Sequence, residues 1–268
     1  MSIPLNSEGV TNAVERIARR TPLLRASELS DQLGRPVWLK AECLQVTGSF
    51  KVRGAAARLS ALNDQERMRG VVSCSSGNHG RAVAYVAQKL GIPASVCVPE
   101  WVDPVKLEGI KRDGAEAVLV GSTFDEAESH ALELSERTGR TYISAYDDPW
   151  VIAGQGTIAL EILGQLGESP AAILSPLSGG GLLGGIASVF AERTGDQRCR
   201  TVGVSAEKAA VMLASVKAGH PVELAEEKTL ASALAGGIGL NNQHSFKLIK
   251  DLVHEHVTVT EEQISDAM

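Results

Sequence analysis

Val71-Val72-Ser73-Cys74-Ser75-Ser76-Gly77-Asn78-His79-Gly80 reads as a short strand, a polar turn and the opening of a helix. The four apolar-rich residues are strand length, and the run over 78–90 keeps helical spacing for helix length. The same change of period repeats further along. Apolar runs at 71–74, 94–98, 115–120 and 141–144 are separated by helical segments at 78–90, 104–112 and 124–137. Strands in strict alternation with helices make a parallel sheet with helical crossovers. A second alternating block follows: helix 156–166, strand 171–177, a glycine-rich turn, helix 182–193, strand 201–205 and helix 209–218. No low-complexity linker separates the blocks, so they are expected to pack closely, and a cleft between two α/β units is a usual ligand site.

Upstream, a helical pattern over 11–19 stops before Thr21-Pro22, because proline cannot continue a helix. Residues 27–33 read as a short helix closed by Gly34, 37–40 as a strand, and the alanine-rich 50–62 as a helix. Downstream, 257–259 reads as a strand, and Thr260 with Gln263 makes a capping box that opens one more helix. That helix has run only about two turns at Met268, too short to be stable alone, so the natural fold is expected to carry more chain here.

The 268 residues would fill one large domain or two ordinary ones, and 44% hydrophobic with 22% charged residues is a soluble globular composition. A net charge of −6 without a Lys/Arg block argues against a nucleic-acid partner or an anionic membrane and leaves a small molecule as the expected partner. No apolar run approaches the roughly 20 residues of a membrane span, and the first ten residues lack the basic and apolar parts of a signal, so the cytoplasm is the default location. Cys43, Cys74, Cys97 and Cys199 form no CxxC pair and are expected to be buried free thiols. The six histidines include no HExxH, and no metal site is expected.

Three stretches carry chemistry. Thr47-Gly48-Ser49-Phe50-Lys51-Val52-Arg53-Gly54-Ala55 sets one lysine between glycines and beside a phenylalanine; taken alone, such a lysine is usually a solvated surface residue. A lysine with a lowered pKa can instead join a carbonyl as a Schiff base. Ser75, Ser76, Gly77, Asn78 and His79 form a polar loop at a helix start, where hydroxyls, an amide and free N–H groups suit a carboxylate. Ser178, Gly179, Gly180, Gly181 and Leu182 lie between a strand and a helix, where close backbone approach and the helix dipole suit a phosphate. Gly179, Gly181 and Gly184 also match G-x-G-x-x-G, with Glu207 past the next strand, so a nicotinamide-linked oxidoreductase is a rival reading. It would leave Lys51 unexplained. An amine for an aldehyde, a cradle for a phosphate and a cap for a carboxylate together describe pyridoxal 5′-phosphate holding an amino acid.

T-G-S-F-K-x-R-G-A, S-S-G-N-H-G, A-G-Q-G-T over 153–157 and S-G-G-G-L, in this order and spacing, resemble the fold-type-II pyridoxal-phosphate enzymes, specifically the threonine/serine dehydratase and serine racemase group. The resemblance runs from about Thr21 to the end of the chain. It implies an α/β fold of two domains with parallel-rich sheets flanked by helices: a large domain from 1–52 and 147–268, a small one from 53–146, and the cofactor in the cleft. Lys51 would be the Schiff-base lysine and proton shuttle, Phe50 would pack by the pyridine ring, and Asn78 would bond the ring oxygen. Ser178 to Leu182 would bind the phosphate and Ser75 to His79 the substrate carboxylate, with Ser76 where racemases of the group carry a second acid/base. The implied activity is dehydration and deamination of a β-hydroxy amino acid, with racemisation, or an inactive or regulatory relative, as alternatives.

V-S-A-E-K, A-G-x-P-V and G-G-I-G-L-N-N are most similar to the hydroxyectoine-utilisation dehydratases. Ala231-Ser232-Ala233 replaces the group's Ala-Asp-Gly, and Ser205 and Val211 stand where some relatives place metal carboxylates, which again implies no metal. The resemblance also implies further elements beyond Met268, including a last strand and a side chain that bonds the pyridine nitrogen. Dimers are common in the group, so a homodimer is the assembly it implies.

Overall fold

The computed structural model describes residues 3–5, 7–192 and 199–268. Met1, the expected start of the large domain, and Arg193, the expected end of one helix, lie outside the described residues. Helix α1 (Glu8–Glu15) begins and ends earlier than the expected 11–19, because the Ser7 hydroxyl accepts the Val10 N–H at 3.2 Å and so caps it. β1 (Leu23–Arg25) and β2 (Trp38–Lys40) pair antiparallel on either side of α2 (Ser27–Leu33), which closes on Gly34 in the left-handed conformation at φ 61°. α3 (Lys51–Ser60) and α4 (Asp64–Arg69) follow. α4 is not among the elements expected from the sequence, although Asn63 and Glu66 open it with a capping box.

β3 (Val71–Cys74), α5 (Asn78–Leu90), β4 (Ala94–Val98), α6 (Pro104–Arg112), β5 (Glu116–Leu119), α7 (Phe124–Thr138) and β6 (Thr141–Tyr142) then alternate as expected. All pairings in this sheet are parallel and its order is β5-β4-β3-β6. The inner strands β3 and β4 are buried throughout, the pattern of a parallel sheet covered on both faces.

α8 (Pro149–Leu166) starts well before the expected residue 156. Asp148 accepts the N–H of Trp150 at 2.8 Å and of Val151 at 3.0 Å, and a proline fits the first turn. β7 (Ala172–Pro176), α9 (Gly181–Ala191), β8 (Arg200–Ala206), α10 (Val211–Ala218), α11 (Ser245–Leu252), β9 (Glu255–Val259) and α12 (Glu261–Asp266) complete the described elements. β7, β8 and β9 form a parallel three-stranded sheet in that order, and α12 opens on the Thr260–Gln263 capping box.

By density of internal contacts the chain divides into two compact units. Residues 11–143 with 160–167 make one, here the lysine unit; residues 1–10, 144–159 and 168–268 make the other, the glycine unit. Residues 11–52 thus group with the four-stranded sheet, whereas the expected division puts them with 147–268. In the lysine unit Val72, Cys74, Cys97, Ala127 and Ala131 form a core between the sheet and α7. In the glycine unit Leu177, Leu183, Val211, Met212, Ile238 and Ile249 do the same around α9, α10 and α11.

All four cysteines are free thiols. Cys74, Cys97 and Cys199 are buried as expected, but Cys43 is exposed, because it sits in the short turn Glu42–Leu44 on no core-facing strand. Among the described residues no helix is long and apolar enough to cross a membrane, and no cluster of three or more His, Cys, Asp or Glu side chains is placed to hold a metal ion.

The glycine unit depends on a backbone contact that any side chain would break. A Cβ at Gly185 of α9 would collide with the Ile152 carbonyl oxygen and lie 2.8 Å from the Gly156 nitrogen of α8. Gly185→Ala is therefore expected to lower stability by about 2 kcal/mol, the scale of overpacking a dense interior, measured by urea unfolding. Gly9→Ala, with nothing within 4 Å of the new methyl, should change stability by less than about 1 kcal/mol.

Candidate active site

In the lysine unit, Gly48 turns the chain at φ 77° and α3 begins at Lys51, with Phe50 in the capping position and no side-chain cap bond. The Lys51 ammonium lies 5.3 Å from the centre of the Phe50 ring, within reach of a cation–π attraction. Burial pushes its pKa down from the usual 10.5 to about 8, because desolvation penalises the charged form. Thr47 Oγ1 and Ser49 Oγ, just upstream, are buried without hydrogen-bond partners.

α3 packs against α5, whose N-terminus carries the second motif. The Ser75 hydroxyl accepts the Gly77 N–H at 3.2 Å, and α5 begins at Asn78. Asn78 is exposed, Ser75, Ser76 and Gly77 are half-buried, and His79 is 3% exposed. Gly80 lets the first turn of α5 close on the loop, since a Cβ there would collide with the Ser75 carbonyl oxygen. His79 Nε2 lies 3.0 Å from the Ile143 carbonyl oxygen, an acceptor, which assigns the proton to Nε2 and leaves Nδ1 as a buried acceptor without a partner. Burial and the nearby Lys51 charge lower the His79 pKa to about 3, outweighing the Ile143 bond, so the ring is neutral at physiological pH.

Behind Lys51 on the same helix lies Arg53, fully buried. Its Nε and Nη2 each donate to Glu42 at 2.8 Å, and its Nη1 and Nη2 donate to Glu161 at 2.7 and 3.0 Å. In the sequence Arg53 stands out only as part of its motif, and no local pattern announces either carboxylate. A charged residue inside the alanine-rich run 52–57 was the available signal.

In the glycine unit the loop after β7 turns at Gly180, φ 84°, the capping residue of α9. Side chains are excluded here: a Cβ on Gly179 would strike the Tyr146 ring, one on Gly181 would lie 2.6 Å from the Tyr146 carbonyl oxygen, and one on Gly180 would lie 2.8 Å from Met212 Cε. Ser178 and Leu182, at the two ends of the loop, are half-buried. The Ser245 hydroxyl ties the loop down by donating to the Gly179 carbonyl at 2.7 Å. Asp147 holds the start of α11 in turn, accepting the N–H groups of Gln243, His244 and Ser245 at 2.8 Å each. Gln155 of the A-G-Q-G-T motif is fully buried, and neither end of its amide has a partner. Tyr146, Asp147 and α11 escape the sequence reading, since their bonds span up to 98 residues of chain.

These residues fit pyridoxal phosphate on the geometry of each unit. The glycine loop offers a side-chain-free cradle at the N-terminus of an eleven-residue helix, suited to a phosphate. The lysine unit offers a half-buried lysine whose pKa is lowered by desolvation, with unpartnered polar atoms on the residues just before it, suited to an aldehyde.

Comparison with known proteins agrees. The model of the pyridoxal-phosphate dependent enzyme family matches residues 14–268. A putative threonine dehydratase of Sinorhizobium fredii is 39% identical, covering 97% of this chain and 79% of its own length. An L-threonine ammonia-lyase of Thermotoga maritima is 38% identical, over 95% of this chain, which spans only 62% of that relative. The structure of maize serine racemase superposes with a TM-score of 0.89 at 30% identity, covering 98% of this chain and 79% of that one. The nicotinamide reading of Gly179, Gly181 and Gly184 gives way to this match; the absent side chain at Gly184 serves packing instead, since a Cβ there would lie 3.2 Å from Leu248.

A lowered pKa has a direct readout. The neutral amine is the reactive form, so acylation of Lys51 in the cofactor-free protein should rise with a midpoint near pH 8. Mass-spectrometric peptide mapping of protein labelled between pH 6 and 11 measures it, and a midpoint near 10.5 would show a solvated lysine.

Proposed function

The chain belongs to the pyridoxal-phosphate dependent enzyme family, and from that premise we propose that it dehydrates and deaminates a β-hydroxy amino acid, with Lys51 as the amine that takes the cofactor's aldehyde. The carrying observation is the place of Lys51 at the start of α3, which packs against α5 with the Ser75–His79 loop at its N-terminus; desolvation there lowers the lysine pKa to about 8. Ser178, Gly179, Gly180, Gly181 and Leu182 would hold the phosphate, with Phe50 and Asn78 beside the ring. When bound, pyridoxal phosphate supplies an electron-withdrawing ring that makes the Cα–H of an attached amino acid acidic.

The residues of the chain supply the rest. With a pKa near 8, about one Lys51 in ten is neutral at pH 7, against roughly one in three thousand for an ordinary lysine. A neutral amine can both bind a carbonyl and accept the Cα proton. The Ser75 hydroxyl, the Asn78 amide and the backbone N–H groups of the loop Ser75, Ser76, Gly77, Asn78 and His79 hold the substrate carboxylate and so fix which bond at Cα faces Lys51. Neutral His79 adds no second positive charge beside that amine. Loss of the β-hydroxyl as water and hydrolysis of the resulting enamine give a keto acid and ammonia.

The names of the relatives support dehydration: the proteins from Sinorhizobium fredii and Thermotoga maritima are called a threonine dehydratase and a threonine ammonia-lyase. Racemisation is the second reading, favoured by the hydroxyl of Ser76 in the carboxylate loop and by the likeness to maize serine racemase.

Borohydride reduction of protein incubated with pyridoxal phosphate should add one reduced cofactor at Lys51, and Lys51→Ala should abolish the adduct and cut ammonia release from the preferred substrate at least about a thousandfold. L-threonine, L-serine and hydroxylated diaminobutyrate derivatives are the substrates to compare. A wild-type protein that forms no adduct at Lys51 contradicts the proposal. Ser76→Ala should separate the two readings, abolishing any racemisation while leaving elimination from the L-substrate within about threefold; equal loss of both would refute the role given to Ser76.

A further inference from the structure

The first turn of α3 carries two cations, Lys51 and Arg53, two residues apart. At 100° per residue they leave the helix on opposite sides. Lys51 thus faces away from the side on which Arg53 is held, and Arg53 is held unusually completely. Both of its carboxylate partners are bound in forks, Glu42 through Nε and Nη2 and Glu161 through Nη1 and Nη2. A further bond from Nη2 reaches the Arg19 carbonyl at 3.2 Å. Those partners come from three separate parts of the lysine unit: the segment before β1, the turn after β2, and the last turns of α8.

The carboxylates are themselves fixed. Glu161 also takes a bond from Lys40, whose ammonium reaches the Thr21 carbonyl at 2.8 Å, and the Thr21 hydroxyl donates to Glu42. Arg53, Lys40, Glu42 and Glu161 sum to zero charge. Burial works to raise the Glu161 carboxyl, yet the bonds from Arg53 and Lys40 hold it below its usual range, so the pairs stay ionised. Meanwhile α3 has no side-chain cap to steady its N-terminus. A buried ion-pair cluster is weak evidence for added stability, since desolvation offsets much of the attraction, but it fixes geometry strongly.

We propose that Arg53 is a positioning residue for Lys51: the double fork to Glu42 and Glu161 anchors the first turn of α3 from behind and thereby sets where the Lys51 amine points. The proposal rests on the reading of Lys51 as the cofactor amine for its catalytic consequence, but not for its geometry. Arg53 makes no contact with substrate in this scheme. Its effect is carried by one turn of backbone.

The test uses variants that keep the charge balance. Arg53→Lys retains the cation but cannot fork to two carboxylates, and Glu161→Asp shortens one arm by a methylene. Both should still form the borohydride-reducible adduct at Lys51. Their kcat should fall about 10- to 100-fold with KM within about threefold, the scale of a misplaced reacting group. In the cofactor-free proteins, the midpoint for acylating Lys51 should move from near pH 8 toward 10.5, because a loosened helix start admits water to the amine.

A lowered melting temperature with kcat and the labelling midpoint unchanged would overturn the proposal and leave Arg53 as scaffold alone. Thr21→Val, which removes only the hydroxyl on Glu42, covers the case in which the charged variants fail to fold. It should lower kcat about threefold and raise the midpoint, and wild-type values for both would overturn the proposal. The labelling midpoint needs no cofactor, so the two ideas fail separately. No adduct at Lys51 in the wild type removes the functional reading, whereas an unmoved midpoint in every folded variant removes the anchor.

Discussion

A buried charged side chain either keeps its charge through compensating partners or shifts toward its neutral form. The first turn of α3 shows both outcomes within three residues. Arg53 stays charged in a fully buried site because two carboxylates engage four of its donor positions. Lys51 is shifted the other way, toward neutrality, by desolvation. Organisation of the lysine unit follows from this pair of facts. Segments 19–21, 40–42 and 161–165 converge on the guanidinium and on Lys40, and the amine sits on the opposite side of the same turn.

The glycine unit meets a different constraint, close approach of its backbone to neighbouring residues with no room for side chains. Four glycines at 179–181 and 185 each lie where a methyl group would meet Tyr146, Met212 or the backbone of α8. The cradle is kept in place by polar bonds rather than by bulk. Ser245 bonds the Gly179 carbonyl, and Asp147 bonds the backbone that presents Ser245, so one carboxylate next to Tyr146 fixes the start of α11 and, through it, the loop. Neutral His79 and the unpartnered oxygens of Thr47 and Ser49 show the same economy on the lysine side, where polar atoms are buried ahead of any internal need for them.

Much of this was legible in the amino-acid order. Strands β3 and β4 and helices α5 and α6 match their expected bounds, because each is a run of one period bounded by local signals, such as Gly91 at the end of α5 or Asp103 at the start of α6. The motif residues were legible for the same reason, since each motif is contiguous. Apart from α4, which opens on its own capping box, what escaped depends on partners far along the chain. Gly154 and Gly156 hide the first half of α8, and the reason for glycine at 156 is its close fit against Gly185, which no local pattern shows. α11 is capped from Asp147, nearly a hundred residues upstream, and no local pattern announces it. The pKa of Lys51 is likewise a property of the folded unit. A lysine flanked by glycines reads as solvated until the burial around it is known.

The claim on which the rest turns is that Lys51 is the amine that receives the cofactor. A crystal structure of the protein grown with pyridoxal phosphate tests it most directly. Continuous electron density from Lys51 Nζ into the cofactor is expected. Unmodified Lys51 beside a bound cofactor, or a covalent link at any other lysine, would contradict it.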